Sequence, residues 1–548
     1  MKTLFSLFLC GVLISTSYAE DKGTLLWSFQ GSDRMLCVSS IRDVNGNGIN
    51  DVLAGNANDT LYCFEGASQD SAVSIWKFKA PNMVVDVDSI PDVNGDGIPD
   101  VVLCSGGPYP AFCLSGADGS VIWRFTDSTA GFYTFVEPMG DVNGDGICDI
   151  AIEVKQTFNL YCIDGASKDT ATILWEFPLN GYTNSYRSLT TSEDLDGDGI
   201  RDIIVCVNNG PKNSLSSNRY LSIEFSVKSS ATKKQTSPEN KIYCVSGKGD
   251  SIIWSHKPPE TGDIVLVASI SDISGNGIPE ILGGNSGAGL YLFEGSKGNI
   301  VWNYPINTGV IVSINDVSGD SIPDILASIF TSFDSDSLLC IKGGIDTSAN
   351  VLWTFRASHL VSHLDVIPDI NGDSVQEVVA GCWNGYVYCL KGDSGTPIWS
   401  YSGKDTSDYG DIMGLTGIKD VNGDGFDDVV AVTYGGSDGG EVWCLSGKAY
   451  GIEEKSPNLD FGFRIWELKA EPNPFIQSTV ISYSASGGSV KSKIQIYDIA
   501  GKLVEETKDN IITAKVGCSI GKKLKSGVYF VKVNDSKLTK IIKMGGLK

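Results

Sequence analysis

The chain has 548 residues, a formal charge of −24 at pH 7 and only three histidines. That length is ample for a large core plus a second domain, and the acidity disfavours nucleic acid or anionic membrane as partners. With 63 glycines and 14 cysteines, many turns are expected and a disulfide framework has to be weighed.

Residues 1–19 read as a secretory signal peptide, with Lys2 as its charged start, residues 4–14 as its apolar run and Ser17-Tyr18-Ala19 as its cleavage site. Cys10 lacks the small preceding residue of a lipoprotein signal, so no lipid anchor is expected. No later apolar run reaches the length of about 20 residues that a transmembrane helix needs.

The next element recurs along the chain. A nine-residue loop, with side-chain oxygens at positions 1, 3, 5 and 9, is written eight times. The first four copies place Asp43, Asn45, Asn47 and Asp51, then Asp92, Asn94, Asp96 and Asp100, then Asp141, Asn143, Asp145 and Asp149, then Asp194, Asp196, Asp198 and Asp202. The last four place Asp272, Ser274, Asn276 and Glu280, then Asp316, Ser318, Asp320 and Asp324, then Asp369, Asn371, Asp373 and Glu377, then Asp420, Asn422, Asp424 and Asp428. Oxygens at alternate positions around a tight glycine turn suit a hard cation, with a backbone carbonyl at position 7 completing the set. Calcium is expected rather than magnesium, because a flexible loop offers many oxygens. Bound dications would also offset much of the negative charge. The metal-free alternative is an Asx-rich turn. The first and fifth copies carry two carboxylates each and are expected to bind most weakly, whereas the fourth carries four. Ser321 and Ser374 replace the position-6 glycine in two copies, which predicts distortion there.

A tryptophan shares the period. Trp27, Trp76, Trp123, Trp175, Trp254, Trp302, Trp353 and Trp399 each precede the next loop by 14 to 21 residues. A repeat of about 50 residues with short apolar runs predicts a propeller or a β-solenoid. The second copy resolves into strand A over 84–90, the loop, strand B over 100–104, strand C over 111–114 and strand D over 120–125. Four strands per repeat make one blade, so the chain is expected to be all-β, an eight-bladed β-propeller with the cation loops in its A–B turns. The last repeat lacks a strand D, and residues 25–28 have no blade of their own. These residues are therefore expected to close the ring, in preference to Arg464-Ile465-Trp466.

Cys63, Cys113, Cys162, Cys244, Cys340, Cys389 and Cys444 share one repeat position and read as buried small hydrophobes. Export permits a bridge between Cys104 and Cys113, or between Cys382 and Cys389, if either pair faces across its hairpin, and the sequence leaves that geometry open. A–B turns lie on one face of the disc and B–C and D–A connections on the other, so the face opposite the cation loops is the expected binding face. Its candidates are Phe132, Tyr133, Phe135, Tyr182, Tyr186, Arg187 and Tyr409, the alternative being inward packing. The blade-four insert over 208–240 carries Lys212, Arg219, Lys228, Lys233 and Lys234 and reads as a solvated loop with a short hairpin possible over 220–227. His359 and His363 lie four apart in a strand-loop region and are not expected to converge. No nucleophile elbow, phosphate loop or zinc motif is present, so no catalytic residue is assigned.

The domain boundaries expected are 1–19 for the signal, 20–446 for the propeller, 447–462 for a polar linker and 463–548 for a small Lys-rich β-domain.

The aspartate loops resemble the calcium-binding FG-GAP repeats of integrin α-chain propellers, over about residues 23–448. The Phe-Gly and Gly-Ala-Pro signatures of that family are missing. The Tyr161-Cys162-Ile163-Asp164-Gly165 half with Trp175 is similar to a quinoprotein-type propeller repeat. Glu471-Pro472-Asn473-Pro474-Phe475, Ile494 through Gly501, and Ser526-Gly527-Val528-Tyr529-Phe530 resemble the type A sorting domain of the type IX secretion system. That resemblance implies a small β-sandwich, interaction with the secretion machinery, passage through the outer membrane, and a secreted or cell-surface protein. The propeller resemblance implies structural calcium and a non-catalytic module that adheres to a glycan or protein. An extracellular polysaccharide lyase and a quinoprotein dehydrogenase are the alternatives.

Overall fold

A computed structural model describes residues 21–105, 111–126, 134–154, 159–179, 188–207, 240–249, 251–257, 263–286, 289–329, 337–345, 349–403, 410–435 and 439–448, together with nine strands between Arg464 and Met544. Every regular element among them is a β-strand. The chain divides into two compact units, Met1–Gly451 and Ile452–Lys548.

The first unit is an eight-bladed propeller. Eight sheets follow one another in chain order, each an antiparallel meander from an inner strand A to an outer strand D. Blade 2 is typical, with Val84–Ile90, Asp100–Ser105, Ala111–Leu114 and Val121–Phe125 as strands A to D. The burial patterns follow from position in the disc. Strand B is buried along its whole length because blades cover both of its faces. Strand A buries Val84, Val87 and Ile90 and leaves the residues between them half-buried, and strand D is half-exposed at the rim. The core is a ring of clusters between blades. One cluster joins Val102, Cys113 and Trp123 of blade 2 to Val136, Ile150 and Tyr161 of blade 3.

The ring closes through its first long strand. Leu25–Gln30 pairs antiparallel with Glu441–Leu445 as strand D of blade 8, with Trp27 opposite Cys444. Gly31 N–H to Gly440 O (2.8 Å) and Ser446 N–H to Thr24 O (2.8 Å) extend the seam. The alternative donor, Arg464–Glu471, pairs instead with Thr479–Ser486 in the second unit. Outer edges receive two-residue parallel strands. Asp70–Ser71 lies on strand D of blade 8, Asp169–Thr170 on that of blade 2 and Asp21–Lys22 on that of blade 7. Each covers part of an otherwise unpaired edge.

The repeat cysteines are buried, as their spacing implies, and each stands opposite a blade tryptophan, as Cys113 does Trp123 and Cys389 does Trp399. The question left open for Cys104 with Cys113 and for Cys382 with Cys389 is answered by the strand register. Cys104 lies opposite Ala111, Cys113 lies opposite Val102 and Cys389 lies opposite Val379. The offset puts each pair out of register, and all the described cysteines are free thiols. The insert over 208–239, with its five basic residues and the hairpin considered at 220–227, lies outside the described residues.

The second unit is also built of strands, in sheets of three, two and four. Ile494–Asp498 is central to the four-stranded sheet, between Leu503–Glu506 and Gly527–Val533.

Candidate metal centres and the opposite face

All eight loops fold alike, and the two ends of each loop do different work. In blade 1, Asp43 Oδ1 accepts backbone N–H groups from Asn45 (3.1 Å), Gly46 (2.7 Å) and Asn47 (3.1 Å), and Oδ2 accepts that of Gly48 (2.6 Å). The turn needs φ of +81° at Gly46 and +85° at Gly48, a region open to glycine at little cost. Ser321 and Ser374 adopt the same left-handed conformation at φ 69° and 72°. Desolvation acts to raise the Asp43 carboxyl, but the four N–H bonds outweigh it and hold the group below the usual carboxylate range.

Position 9 is the buried anchor. Asp51, Asp100, Asp149, Asp202, Glu280, Asp324, Glu377 and Asp428 are all 0% exposed. One oxygen of each accepts the position-2 amide, as from Val44 (2.9 Å) and Ile370 (2.7 Å). In blade 1 the other accepts Gly66 N–H (3.1 Å), just beyond strand C. Gly66 then accepts Trp27 Nε1–H of the preceding blade at 2.8 Å. The same relay joins Trp76 to Gly116 (2.7 Å) and Gly116 to Asp100 (3.1 Å). A Cβ on Gly66 would lie 1.9 Å from Asn50 O, so close backbone approach dictates glycine there. In blades 1, 2, 3, 4 and 8 the loop is thereby tied to the preceding blade.

Burial raises the position-9 carboxyls, to about 6 for Asp51, Asp100 and Asp202 and to about 7 for Glu377 and Asp428. A desolvated carboxylate resists ionisation unless a positive charge stands near it. Three observations fit a cation. Asp194, Asp196 and Asp202 bring ligand oxygens within 4.8 Å of one another, and so do Asp369, Asp373 and Glu377. Glu280 Oε1 is buried with no hydrogen-bond partner. The donor set is all oxygen, which suits calcium.

The expected binding-face residues Phe132, Tyr133, Tyr182, Tyr186, Arg187 and Tyr409 lie outside the described residues. Phe135 is described and packs against the cluster between blades 3 and 4. His359 and His363 do not converge. His359 Nδ1 accepts Leu360 N–H (2.9 Å), and His363 Nδ1 pairs with Ser362 Oγ (3.1 Å).

Sequence reasoning missed a group on this face at the seam of blades 8 and 1. Arg34 Nη1 donates to Tyr434 Oη at 2.6 Å, and the guanidinium carbon lies 5.1 Å from the Tyr434 ring centroid. Arg34 Nε donates to Asp33 Oδ1 at 3.3 Å. The remaining guanidinium N–H groups have no partner among the described residues, and the side chain is 33% exposed. Nearby along blade 8, Asp411 is buried, its carbonyl accepts Tyr434 N–H (2.8 Å), and burial pushes its carboxyl up to about 7. One signal was available. Arg34 directly precedes strand A of blade 1, as the singled-out Tyr133 precedes strand A of blade 3. Tyr434 follows strand B some 400 residues later, and only ring closure brings the two together.

Two family models match parts of the chain. A secretion system C-terminal sorting domain matches residues 470–544, and a lambda-carrageenase β-propeller domain matches residues 341–412, which run from the end of blade 6 through blade 7. No curated protein matches the chain. Among solved structures, Sqt1 of Chaetomium thermophilum, bound to the N-terminus of ribosomal protein L10, has a TM-score of 0.53 at 12% identity, covering 78% of this chain and 100% of that one. Sqt1 of Saccharomyces cerevisiae has a TM-score of 0.52 at 11% identity, covering 78% and 99%. At such identities the likeness shows the propeller fold alone. Among the described residues no helix is long and apolar enough to cross a membrane. The chain is thus an eight-bladed β-propeller, similar over part of its length to a carrageenase propeller domain, with a C-terminal sorting domain that sends it through the type IX secretion system to the cell surface or extracellular space.

Proposed function

We propose that this exported propeller is a non-catalytic, calcium-stabilised module that binds an extracellular glycan through the face opposite its aspartate loops. The observation that carries the reading is Arg34 laid on Tyr434 across the blade 8–blade 1 seam. An aromatic ring beside an oriented, partly free guanidinium offers a sugar both a stacking surface and donors for hydroxyl or acidic substituents. The likeness of blade 7 to a propeller domain of lambda-carrageenase supports a glycan over a protein ligand. Calcium is supported by the converging carboxylates of blades 4 and 7 and by the unpartnered Glu280 oxygen.

The same carrageenase likeness favours a second reading, cleavage of a polysaccharide, by a lyase among other routes. Affinity electrophoresis separates the two. The full chain is run with calcium through gels containing sulfated, uronate-bearing or neutral polysaccharides. Retardation with the polymer intact is expected. A cleared zone of degraded polymer would establish catalysis instead. Free migration in every gel would refute a glycan ligand and leave a surface protein as the partner to seek.

A further inference from the structure

The eight loops differ in what faces position 5. In blades 1, 2, 4, 6 and 8 the residue just after strand C approaches it. In blade 1, Asn47 Nδ2 donates to Glu65 Oε1 at 3.1 Å. In blades 2 and 8 a serine hydroxyl takes that place, Ser115 on Asp96 (3.2 Å) and Ser446 on Asp424 (3.3 Å). In blade 6 the residue is Lys342, and its Nζ lies 3.0 Å from Asp320 Oδ2.

The rest of the blade 6 loop is already satisfied. Asp316 Oδ1 accepts N–H groups from Gly319 (2.7 Å) and Asp320 (3.1 Å), and Oδ2 that of Ser321 (2.6 Å). Asp324 Oδ2 accepts from Val317 (2.7 Å) and Ser318 (2.8 Å), and Oδ1 from Gly343 (2.7 Å). Position 3 is a serine whose hydroxyl faces Asp316 Oδ1 at 3.4 Å. The ammonium of Lys342 therefore sits on the one carboxylate that backbone donors do not saturate.

Lysines near two other loops act differently. Lys248 Nζ reaches Asp198 Oδ2 at 3.1 Å in blade 4, yet that loop has a fourth carboxylate, so Asp194, Asp196 and Asp202 still converge. Lys391 follows strand C of blade 7 but forms no ion pair with Asp373, and Asp369, Asp373 and Glu377 converge. Among the described residues blade 6 has no such trio, and neither have the three-carboxylate loops of blades 2, 3 and 8, so what separates blade 6 from those three is the ammonium on Asp320.

We propose that Lys342 stands in for the bound ion in blade 6, so that this loop is closed by its own ammonium and takes no calcium, whereas the loops of blades 4 and 7 do. A tethered ammonium offsets the charge of Asp320 and occupies a carboxylate oxygen that a dication would need. The inference rests on the calcium reading above.

Native mass spectrometry of the full chain, at saturating calcium, counts the ions. Asp320→Asn is expected to leave the count unchanged, and Asp373→Asn to lower it by one. Lys342→Met, which frees Asp320, is expected to raise it by one. All three sites lie on partly exposed turns, and circular dichroism verifies that each variant folds. A lost ion in Asp320→Asn, an unchanged count in Asp373→Asn, or no added ion in Lys342→Met would each overturn the proposal while leaving calcium binding intact. A wild-type chain that takes up no calcium would overturn the calcium reading itself.

Discussion

Trp76 illustrates how one side chain serves two blades. Its ring packs in the cluster between blades 1 and 2, and its indole N–H ends on Gly116 O at 2.7 Å. Trp76→Phe keeps most of the apolar contact and leaves a buried carbonyl without that donor, which costs about 1–3 kcal/mol. Chemical denaturation should show this as a lower midpoint with an unchanged slope. Asp86, on strand A of blade 2, makes a related contact. One of its oxygens accepts Val136 N–H of blade 3 at 3.2 Å. Burial pushes its carboxyl from 3.8 up to about 7, with Asp88 adding to the rise. The folded protein therefore holds this proton where the unfolded chain has lost it. The associated stability is present below the unfolded value and is lost as pH rises from 3.8 to about 7. Asp411 titrates in the same sense. Melting temperature in chelator should thus fall across that window, and Asp86→Asn should flatten the fall. A slope unchanged in the variant would show that Asp86 is not its source. These residue-scale contacts were only half legible in the sequence. Trp76 announced itself by its period, but its partner lies in the next blade. Asp86 sits in a run that reads as an ordinary alternating strand.

Among the elements, the first long strand has the largest consequence. Leu25–Gln30 carries Trp27, 0% exposed, into the cluster between blades 8 and 1. A chain starting after Gly31 would leave Glu441–Leu445 as a bare edge and Val442 and Cys444 without cover. Aggregation, and loss of a single cooperative melt, are the expected results in light scattering and calorimetry. A monomer with an unaltered melt would show that the closing strand is dispensable. This strand was legible beforehand because a tryptophan tetrad stood at the start of the chain without a blade and a blade stood at the end without a tetrad. The cysteine pairing, open in the sequence, is decided at the same scale. Cys104 and Cys113 are close in sequence on adjacent strands, yet the turn sets Cys104 against Ala111. Strand registers depend on turn geometry, and a small offset is enough to separate two thiols.

For the whole molecule, the loops decide how stability answers to metal. The position-9 carboxyls are buried, and in blades 1, 2, 3, 4 and 8 they are tied to the preceding blade's tryptophan, so an ion held there would stabilise the ring and not only the turn. Each calcium at about 100 times its dissociation constant would add about 2.7 kcal/mol if the unfolded chain does not bind it. Excess chelator should lower the melting temperature markedly, and added calcium should restore it. An unchanged melt would refute structural calcium. At the seam, Arg34→Ala should weaken retardation by polysaccharide at least about fivefold, the loss of one charge-assisted contact of about 1 kcal/mol or more, while the calcium-dependent melt stays in place.

The sequence by itself determined the repeat, the number of blades, the strand order within each and the position of the closing strand. All of these follow from local periodicity, since alternating apolar residues and glycine turns specify a four-strand meander wherever they occur. The sorting segment was equally readable, because its signature pieces lie in order at the end of the chain. Only the tertiary structure decided which side chains meet across blades. Asp86 reaches Val136 because consecutive blades pack face to face, and Arg34 reaches Tyr434 and Trp27 reaches Gly66 because the ring curves back on itself. Closure brings distant segments together at separations that no local pattern encodes.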